Sequence, residues 1–270
     1  MFISAINYTK TIRIHFSMRI CALVLLAAIF GGGCSMMPSM PTFISSVPPQ
    51  QRDALYYFQK GEQELESGDD LEAIKNWEKV RESFTSSELN ALAQLKIADT
   101  QYANERYIEA IAGYEDYLKE YPDSIRKNEV LFKLGMSHFH QILPEDRDQS
   151  ATHNALAAFE QLQNNNPTPA QREQLKQLIK QCRDRLAANA AYIGKFYLKT
   201  KHYKAAINRL EEVRSKYPDY SDMAHVLLDL AQAYNLRGDR KKAAELFDVV
   251  ISYHNPDFTE EANKLRNKAE

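Results

Sequence analysis

The stretch "GKFYLKTKHYKAAINRLEEV", residues 194–213, decides the fold. It reads as helical at both ends, yet it begins with Gly194 and places Ala206 twelve residues later. A glycine inside a helix costs about 0.5–1 kcal/mol relative to alanine, so a helix that keeps one needs a compensating contact. Two small residues at this spacing indicate two helices whose backbones approach each other closely.

The same offset of twelve residues occurs four times along the chain. The pairs are Gly61 with Ala73, Ala98 with Ala110, Gly194 with Ala206, and Ala231 with Ala243. A bulky residue follows each second member four positions later, namely Trp77, Tyr114, Leu210 and Phe247. A helix–turn–helix unit of about 34 residues with this pattern is typical of tetratricopeptide repeats. The sequence therefore predicts an all-α fold, an α-solenoid of about five tetratricopeptide helix pairs over residues 53–270. In each unit, positions eight and twenty, such as Gly194 and Ala206, are expected to face each other.

The third repeat is irregular. Its first helix is expected around Gly135, but the second, "ALAAFEQLQNNNP" (residues 155–167), comes eight residues late. Residues 142–150, "ILPEDRDQS", are therefore an insertion in the turn. Thr168 and Pro169 then suit the N-cap and first turn of a long helix that fuses the third and fourth repeats.

The N-terminal residues resemble a bacterial lipoprotein signal. Arg19 precedes an apolar run of eleven residues, "ICALVLLAAIF", which ends in three glycines and Cys34. This length suits a secretory signal and is too short to span a bilayer as a helix. We expect residues 1–33 to be the signal segment, with Met18 a candidate true start, and residues 34–52 to be a lipidated, proline-rich linker that begins at Cys34. A plain secretory signal with a chance cysteine is the alternative.

Composition and motifs favour a binding protein over an enzyme. Hydrophobic residues make up 44% of the chain and the formal net charge is −2, with no basic stripe for nucleic acid. No phosphate-binding glycine loop, CxxC, HExxH or GxSxG motif lies in the globular part. His138 and His140 would point about 200° apart on a helix and could not share a metal ion. Cys182 continues an apolar stripe and is expected in the core. We expect no catalytic residue, no metal and no cofactor.

A repeat array of this kind offers a concave surface lined by its first helices. Apolar and aromatic positions there, with a few acids, suit an extended or helical peptide. The inward-facing positions in the repeat register are Phe58, Glu62, Leu65, Leu92, Leu95, Asp99, Tyr102, Phe132, Met136, Phe139 and His140, and we expect about half of them to be core. The residues that we assign to the peptide groove are Phe58, Glu62, Leu95, Asp99, Tyr102, Phe132, Met136 and Phe139.

The sequence "LAANAAYIGKFYLKTKHYKAAINRLEEVRSKYPD", residues 186–219, together with the signal and the insertion, resembles the BamD (ComL/YfiO) family of β-barrel assembly lipoproteins. The resemblance spans roughly residues 20–255. It implies a lipid-anchored adaptor on the periplasmic side of the outer membrane. The N-terminal repeats would receive the targeting segment of unfolded outer-membrane β-barrel proteins.

The same resemblance implies that the C-terminal repeats dock the last periplasmic domain of BamA, the central barrel subunit. The arginine of the "NR" pair lies at that docking surface in the family, and here it is Arg209, flanked by Asn208, Glu211 and Glu212. Pairing of Arg209 with a nearby acid on a solvated helix is the alternative interpretation. Other lipoproteins of the assembly complex are further candidate partners.

Two other classes of function remain open. A tetratricopeptide lipoprotein could serve as a scaffold for cell-wall synthesis or for pilus and secretin assembly, which co-purification with a murein synthase or a secretin would reveal. A lipid-anchored hydrolase would require a buried polar cluster, for which the sequence offers no candidate.

Overall fold

The structure, a computed structural model, describes residues 49–83 and 87–267. The expected signal segment, Cys34 and nearly all of the linker lie outside these residues. The described ranges contain α-helices and no strand. The helices are α1 (Pro49–Ser67), α2 (Asp70–Ser83), α3 (Ser87–Ala103), α4 (Tyr107–Glu120), α5 (Lys127–Phe139), α6 (Ser150–Asn164), α7 (Pro169–Lys199), α8 (Tyr203–Lys216), α9 (Met223–Arg237), α10 (Arg240–Ile251) and α11 (Pro256–Asn267).

Each helix packs mainly against the helices before and after it in the chain. The helix pairs are α1 with α2, α3 with α4, α5 with α6, the C-terminal part of α7 with α8, and α9 with α10. The final helix, α11, packs against α9 and α10, and Ala262 is its buried contact. The predicted α-solenoid of five tetratricopeptide pairs is confirmed.

Glycines allow three of these pairs to close, since Gly61, Gly135 and Gly194 lie against Trp77, Phe159 and Leu210. A methyl group added to Gly194 would lie 2.7 Å from Cγ and Cδ2 of Leu210. The same addition at Gly135 would lie 2.4 Å from the ring of Phe159. The glycine thus faces the bulky residue four positions beyond position twenty. Ala206, the residue predicted to face Gly194, is fully buried, and the side chain of Leu210 covers the glycine.

The second repeat achieves the same approach with the small residues exchanged. Position eight is Ala98, and Gly113 on α4 lies against it, where an added methyl group would be 2.9 Å from the Ala98 Cβ. Gly113 does not occupy position eight of a repeat, so the offset of twelve residues does not account for it. Its role is to admit the alanine that replaces glycine on the first helix.

The long helix and the insertion form as predicted. The Thr168 hydroxyl accepts a hydrogen bond from the Gln171 N–H, the Gln171 side chain accepts one from the Thr168 N–H, and Pro169 begins the helix. This capping box starts a continuous helix of 31 residues. The insertion separates Phe139 at the end of α5 from Ser150 at the start of α6.

The core follows the helix pairs as a row of apolar clusters. Trp77 and Val80 centre the first cluster, Tyr114 the second and Phe159 the third, and Leu210 and Phe247 belong to the last. Cys182 is fully buried in the third cluster, and burial raises the pKa of its thiol to about 12. Its predicted place in the core is confirmed.

Candidate functional site

The groove residues predicted from the sequence lie on the first helices of three successive repeats. Phe58 and Glu62 belong to α1, and Leu95, Asp99 and Tyr102 to α3. The remaining three, on α5, are Phe132, Met136 and Phe139. The structure brings α1 and α3 into direct contact. We call these eight residues the groove set.

Ion pairs join neighbouring first helices across the groove set. The Lys96 ammonium on α3 lies 2.7 Å from Oε1 of Glu62 on α1. The Lys133 ammonium on α5 lies 2.9 Å from Oδ2 of Asp99 on α3. In each pair the acid occupies position nine of one repeat and the lysine position six of the next. The acids of the groove set therefore hold adjacent repeats together.

Asp99 lies at the centre of a larger network. The hydroxyl of Tyr114 on α4 donates to Asp99 Oδ1 at 2.7 Å, and Lys133 donates to both carboxylate oxygens. Burial, reinforced by the negative charge of Asp99, raises the pKa of Tyr114. Burial alone would lower the pKa of Lys133, but its hydrogen bonds to Asp99 and Glu129 outweigh that effect and raise it. This network fixes α3, α4 and α5 relative to one another.

The apolar members of the groove set differ in access. Leu95 is only 1% exposed and packs in the second core cluster, so it does not line an accessible groove. Phe132, Met136 and Phe139 are partly buried against the third cluster. Phe58 is partly buried against the first cluster. These four present part of their surface to solvent and part to the core.

Three rings close one end of the groove set. Tyr107 stacks on His140 with ring centroids 4.6 Å apart, and the Tyr102 ring meets Tyr107 edge-on at 5.6 Å. Repeat spacing identified Tyr102 and His140, but it missed Tyr107, which lies at the start of a second helix. It also missed Lys96 and Lys133, although aligning position six of the repeats would have found both.

The two histidines diverge, as their spacing predicted. His138 is buried, and its Nε2 lies 3.8 Å from Glu115 Oε1. Burial lowers the pKa of His138, with Glu115 acting in the opposite direction. His140 is exposed, and one face of its ring stacks on Tyr107. Among the residues that the structure describes, no three metal-binding side chains converge.

The predicted docking residues lie together on α8. Arg209 Nη1 donates to Glu212 Oε2 at 2.7 Å, and Lys216 Nζ donates to Glu212 Oε1 at 2.7 Å. These partners, Lys216 first, lower the pKa of Glu212. Arg209 therefore pairs with a nearby acid, as the alternative interpretation required. Its side chain is nevertheless 40% exposed.

Glu211 connects the same helix to the next repeat. It accepts a hydrogen bond from the Tyr234 hydroxyl on α9 at 3.1 Å and forms an ion pair with Arg214 at 2.7 Å. Asn208 is exposed. We call Asn208, Arg209, Glu211 and Glu212 the α8 surface.

No helix among residues 49–83 and 87–267 is both long enough and apolar enough to cross a bilayer.

Comparison with known proteins gives consistent matches. The family model YfiO, described as "Outer membrane lipoprotein", matches residues 50–247. The chain is 27% identical over 235 residues to the outer membrane protein assembly factor BamD of Caulobacter vibrioides, covering 87% of this chain and 75% of that one. It is 26% identical over 226 residues to BamD of Vibrio cholerae, covering 80% of this chain and 90% of that one.

A solved tetratricopeptide repeat protein of Parabacteroides merdae shares 15% identity with this chain, with a TM-score of 0.37. The match covers 79% of this chain and 72% of that one.

Five stacked helix pairs define a tetratricopeptide repeat protein. Within that class, the chain belongs to the YfiO family of outer membrane lipoproteins. The family model matches residues 50–247 of this chain of 270 residues.

Proposed function

We propose that this protein is a periplasm-facing outer-membrane lipoprotein of the β-barrel assembly machinery. It acts as an adaptor that binds the targeting segment of unfolded barrel proteins and docks onto BamA. The observation that carries the proposal is the family match over residues 50–247, together with relatives named as outer membrane protein assembly factors. The work is non-covalent: holding two partners on one scaffold raises their effective concentration without an energy source.

The groove set supports the substrate half of the proposal through its aromatic side chains. Asp99 and Glu62 each form an ion pair with a lysine of the next first helix. These carboxylates therefore fix the position of one helix against the next, and their charges are largely neutralised. Phe58, Tyr102 and Phe132 keep part of their surface accessible. A targeting segment would therefore bind through apolar contacts, with aromatic rings as anchors.

A photo-crosslinking amino acid at Tyr102 tests this assignment. Unfolded outer-membrane barrel protein, diluted from denaturant, should crosslink to that position. It should crosslink far less to the same amino acid at Ile125, a 99% exposed residue outside the groove set. Equal yields at both positions would contradict a groove-specific interaction.

The α8 surface supports the proposed docking onto BamA because Glu212 is bound by two cations, Arg209 and Lys216. A carboxylate from BamA could take Arg209 while Glu212 keeps its ion pair with Lys216, so the exchange leaves no buried charge unpaired. A charge-assisted contact with arginine can be bidentate and so orients the partner.

Charge reversal tests the docking directly. Arg209→Glu should abolish co-purification with the periplasmic domain of BamA. Arg240→Glu, a matched charge reversal at an exposed residue of α10, should leave co-purification intact. Retention by Arg209→Glu, or equal loss in both variants, would contradict this docking surface.

The membrane attachment rests on Cys34, outside the described residues. We propose that residues 1–33 are removed, that Cys34 carries the lipid, and that residues 34–52 link it to the repeats. Cys34→Ser should prevent incorporation of labelled palmitate and release the protein from the outer-membrane fraction. Continued labelling of the variant would exclude Cys34 as the anchor.

A further inference from the structure

Two neighbouring turns in the fourth and fifth repeats are strongly basic. They join α7 to α8 and α9 to α10, and positions 13–19 of these repeats are residues 199–205 and 236–242. Together the two stretches contain seven lysines and arginines and a single acid, Asp239, which gives a net charge of +6 with His202 neutral. The same positions of the first two repeats contain six acids and one arginine, a net charge of −5. The charge of these turns therefore changes sign along the array.

The fold places the two basic turns side by side. Short connections make consecutive helices antiparallel, so α7 and α9 run in the same direction. α8 packs between them in the chain order, and α7 also contacts α9 directly. The C-terminal ends of α7 and α9, with the turns that follow them, therefore lie on the same edge of the array.

Most of the cations on this edge have no acidic partner. Lys242 pairs with Asp239 at 3.7 Å, and its ammonium lies 5.1 Å from the centroid of the Tyr234 ring. Within the part of the chain that the structure describes, none of the other six forms an ion pair within 4.0 Å or a side-chain hydrogen bond. All six are exposed, and we call them the basic edge: Lys199, Lys201, Lys204, Arg237, Arg240 and Lys241.

Helix stability does not account for these cations. Lys204 lies in the first turn of α8, and Arg240 and Lys241 lie in the first turn of α10. The N-terminus of a helix carries a partial positive charge, so cations there are unfavourable. The first turn of α2 instead carries Asp70 and Glu72, as a helix N-terminus favours. Because the fold gains nothing from the charges of the basic edge, we look for their role in an interaction.

The chemistry of the basic edge favours an anionic lipid surface. Its cations are spread over two turns, so they match many negative charges on a surface better than one small anion. Leu236, which is 48% exposed, lies next to Arg237. An apolar side chain flanked by cations suits the boundary between lipid headgroups and acyl chains. The chain also belongs to a family of outer membrane lipoproteins, so such a surface is close to it.

We propose that the basic edge binds the anionic headgroups of a phospholipid bilayer, with Leu236 entering the interface. The acidic turns of the first two repeats are repelled by the same surface, so the contact orients the array with its C-terminal repeats towards the bilayer. The contact is additional to an acyl chain on Cys34. It goes beyond the proposed function, since it involves neither the groove set nor the four residues of the α8 surface.

Vesicle flotation tests the contact with the full-length Cys34→Ser protein, in which no acyl chain on Cys34 contributes. Vesicles of phosphatidylcholine that contain about one third phosphatidylglycerol should bind the protein through their negative charge. Vesicles of phosphatidylcholine alone measure any binding by the apolar N-terminal residues. The excess binding to the anionic vesicles should be lost between about 0.05 M and about 0.5 M salt, because salt screens exposed charges.

A pair of lysine substitutions, one in each turn, tests the basic edge itself. Lys199→Ala with Lys241→Ala should weaken the excess binding about ten-fold or more, since each cation near an anionic surface contributes about five-fold. Lys119→Ala with Lys176→Ala removes two exposed lysines elsewhere and is the control of equal net charge, which should bind as the parent protein does. Circular dichroism of each variant checks its folding.

The apolar part of the contact has its own pair of variants. Leu236→Ser should weaken binding to the anionic vesicles. Val249→Ser, a change at a 43% exposed residue of α10, should not. Equal binding of these two variants would remove Leu236 from the interface and contradict the contact as proposed.

Two further results would overturn the inference. One is equal binding of the parent protein to anionic and neutral vesicles, or an equal loss in the two lysine pairs. The other is unchanged vesicle binding by the Lys199→Ala and Lys241→Ala variant together with loss of its co-purification with the periplasmic domain of BamA. That result would assign the basic edge to a protein partner, so the inference would fail while the proposed function would stand.

Discussion

Gly135 illustrates at the residue scale how a missing methyl group lets a helix pair close. Its Cα lies under the ring of Phe159, and an added Cβ would be 2.4 Å from Cε1 and 2.7 Å from Cδ1. A planar ring held in the core has little freedom to move away. The loss of helix propensity at a glycine is therefore outweighed by the packing that the glycine permits.

We expect Gly135→Ala to lower the free energy of unfolding by about 1–3 kcal/mol, since overpacking outweighs the gain in helix propensity. Urea denaturation followed by circular dichroism measures the change. The same substitution on a Phe159→Leu background should cost less, because the smaller side chain can yield. Stabilisation by Gly135→Ala in the wild-type background would contradict the close approach.

His138 makes stability depend on pH. Burial holds its pKa below the usual value of 6.5, so the unfolded chain takes up a proton first as the pH falls. Stability should therefore decrease as the pH falls through about 6.5 towards the native pKa, and this contribution should level off below it. Between about pH 7.5 and pH 5.5, the wild-type urea midpoint should fall more than that of His138→Gln. Equal falls would show that His138 titrates alike in both states.

The sequence predicted the packing positions of the glycines correctly, but it did not separate groove residues from core residues. Repeat spacing placed Gly135 and Gly194 correctly because backbone approach recurs in every unit. It assigned Leu95 to the groove, whereas the residue is in the core. A first helix contacts its own partner and the preceding repeat, and periodicity alone does not divide its inner face between core and solvent.

At the scale of elements, the insertion shows where local sequence stops being informative. Its eight extra residues were visible as a delay in the second helix of the third repeat. Its attachment was not, since Glu145 bonds to Arg185 and Asn189, which lie 40 and 44 residues further along the chain. Contacts at such separations depend on the fold and leave no local pattern.

We expect Glu145→Ala to loosen the insertion without unfolding the protein. The lost ion pair with Arg185 is partly exposed and is worth about 0.2–1 kcal/mol, so the global unfolding midpoint should change little. Amide hydrogen exchange in residues 141–149 should become faster. Asp146→Ala, which removes a longer contact of 3.9 Å to Arg147, is the matched control and should leave exchange unchanged. Equal acceleration in both variants would contradict a specific attachment.

At the scale of the whole molecule, the local stability of each repeat should depend mainly on the repeats next to it. Contacts run between consecutive helices, so each repeat is supported mainly by the repeats on either side of it. The last helix that the structure describes is α11, whose Ala262, Phe258 and Leu265 pack against the last core cluster. Repeat arrays need such a terminal element because an uncovered final pair would expose apolar surface.

Deletion of residues 256–270 should therefore destabilise the C-terminal end selectively. We expect faster amide exchange in α9 and α10, with α1 to α4 protected as before, measured by mass spectrometry under native conditions. The N-terminal helices of the same molecule are the internal control. A uniform rise in exchange along the chain would show that the array unfolds as one cooperative unit.

The continuous α7 has a mechanical consequence for these proposals. At 1.5 Å per residue its 31 residues extend about 46 Å, and its backbone hydrogen bonds run unbroken across the junction of the third and fourth repeats. Flexing the array there would require breaking those bonds. The helix should therefore couple the two ends of the array rigidly. A tilt of the C-terminal repeats should then reorient the N-terminal repeats and any segment bound to them.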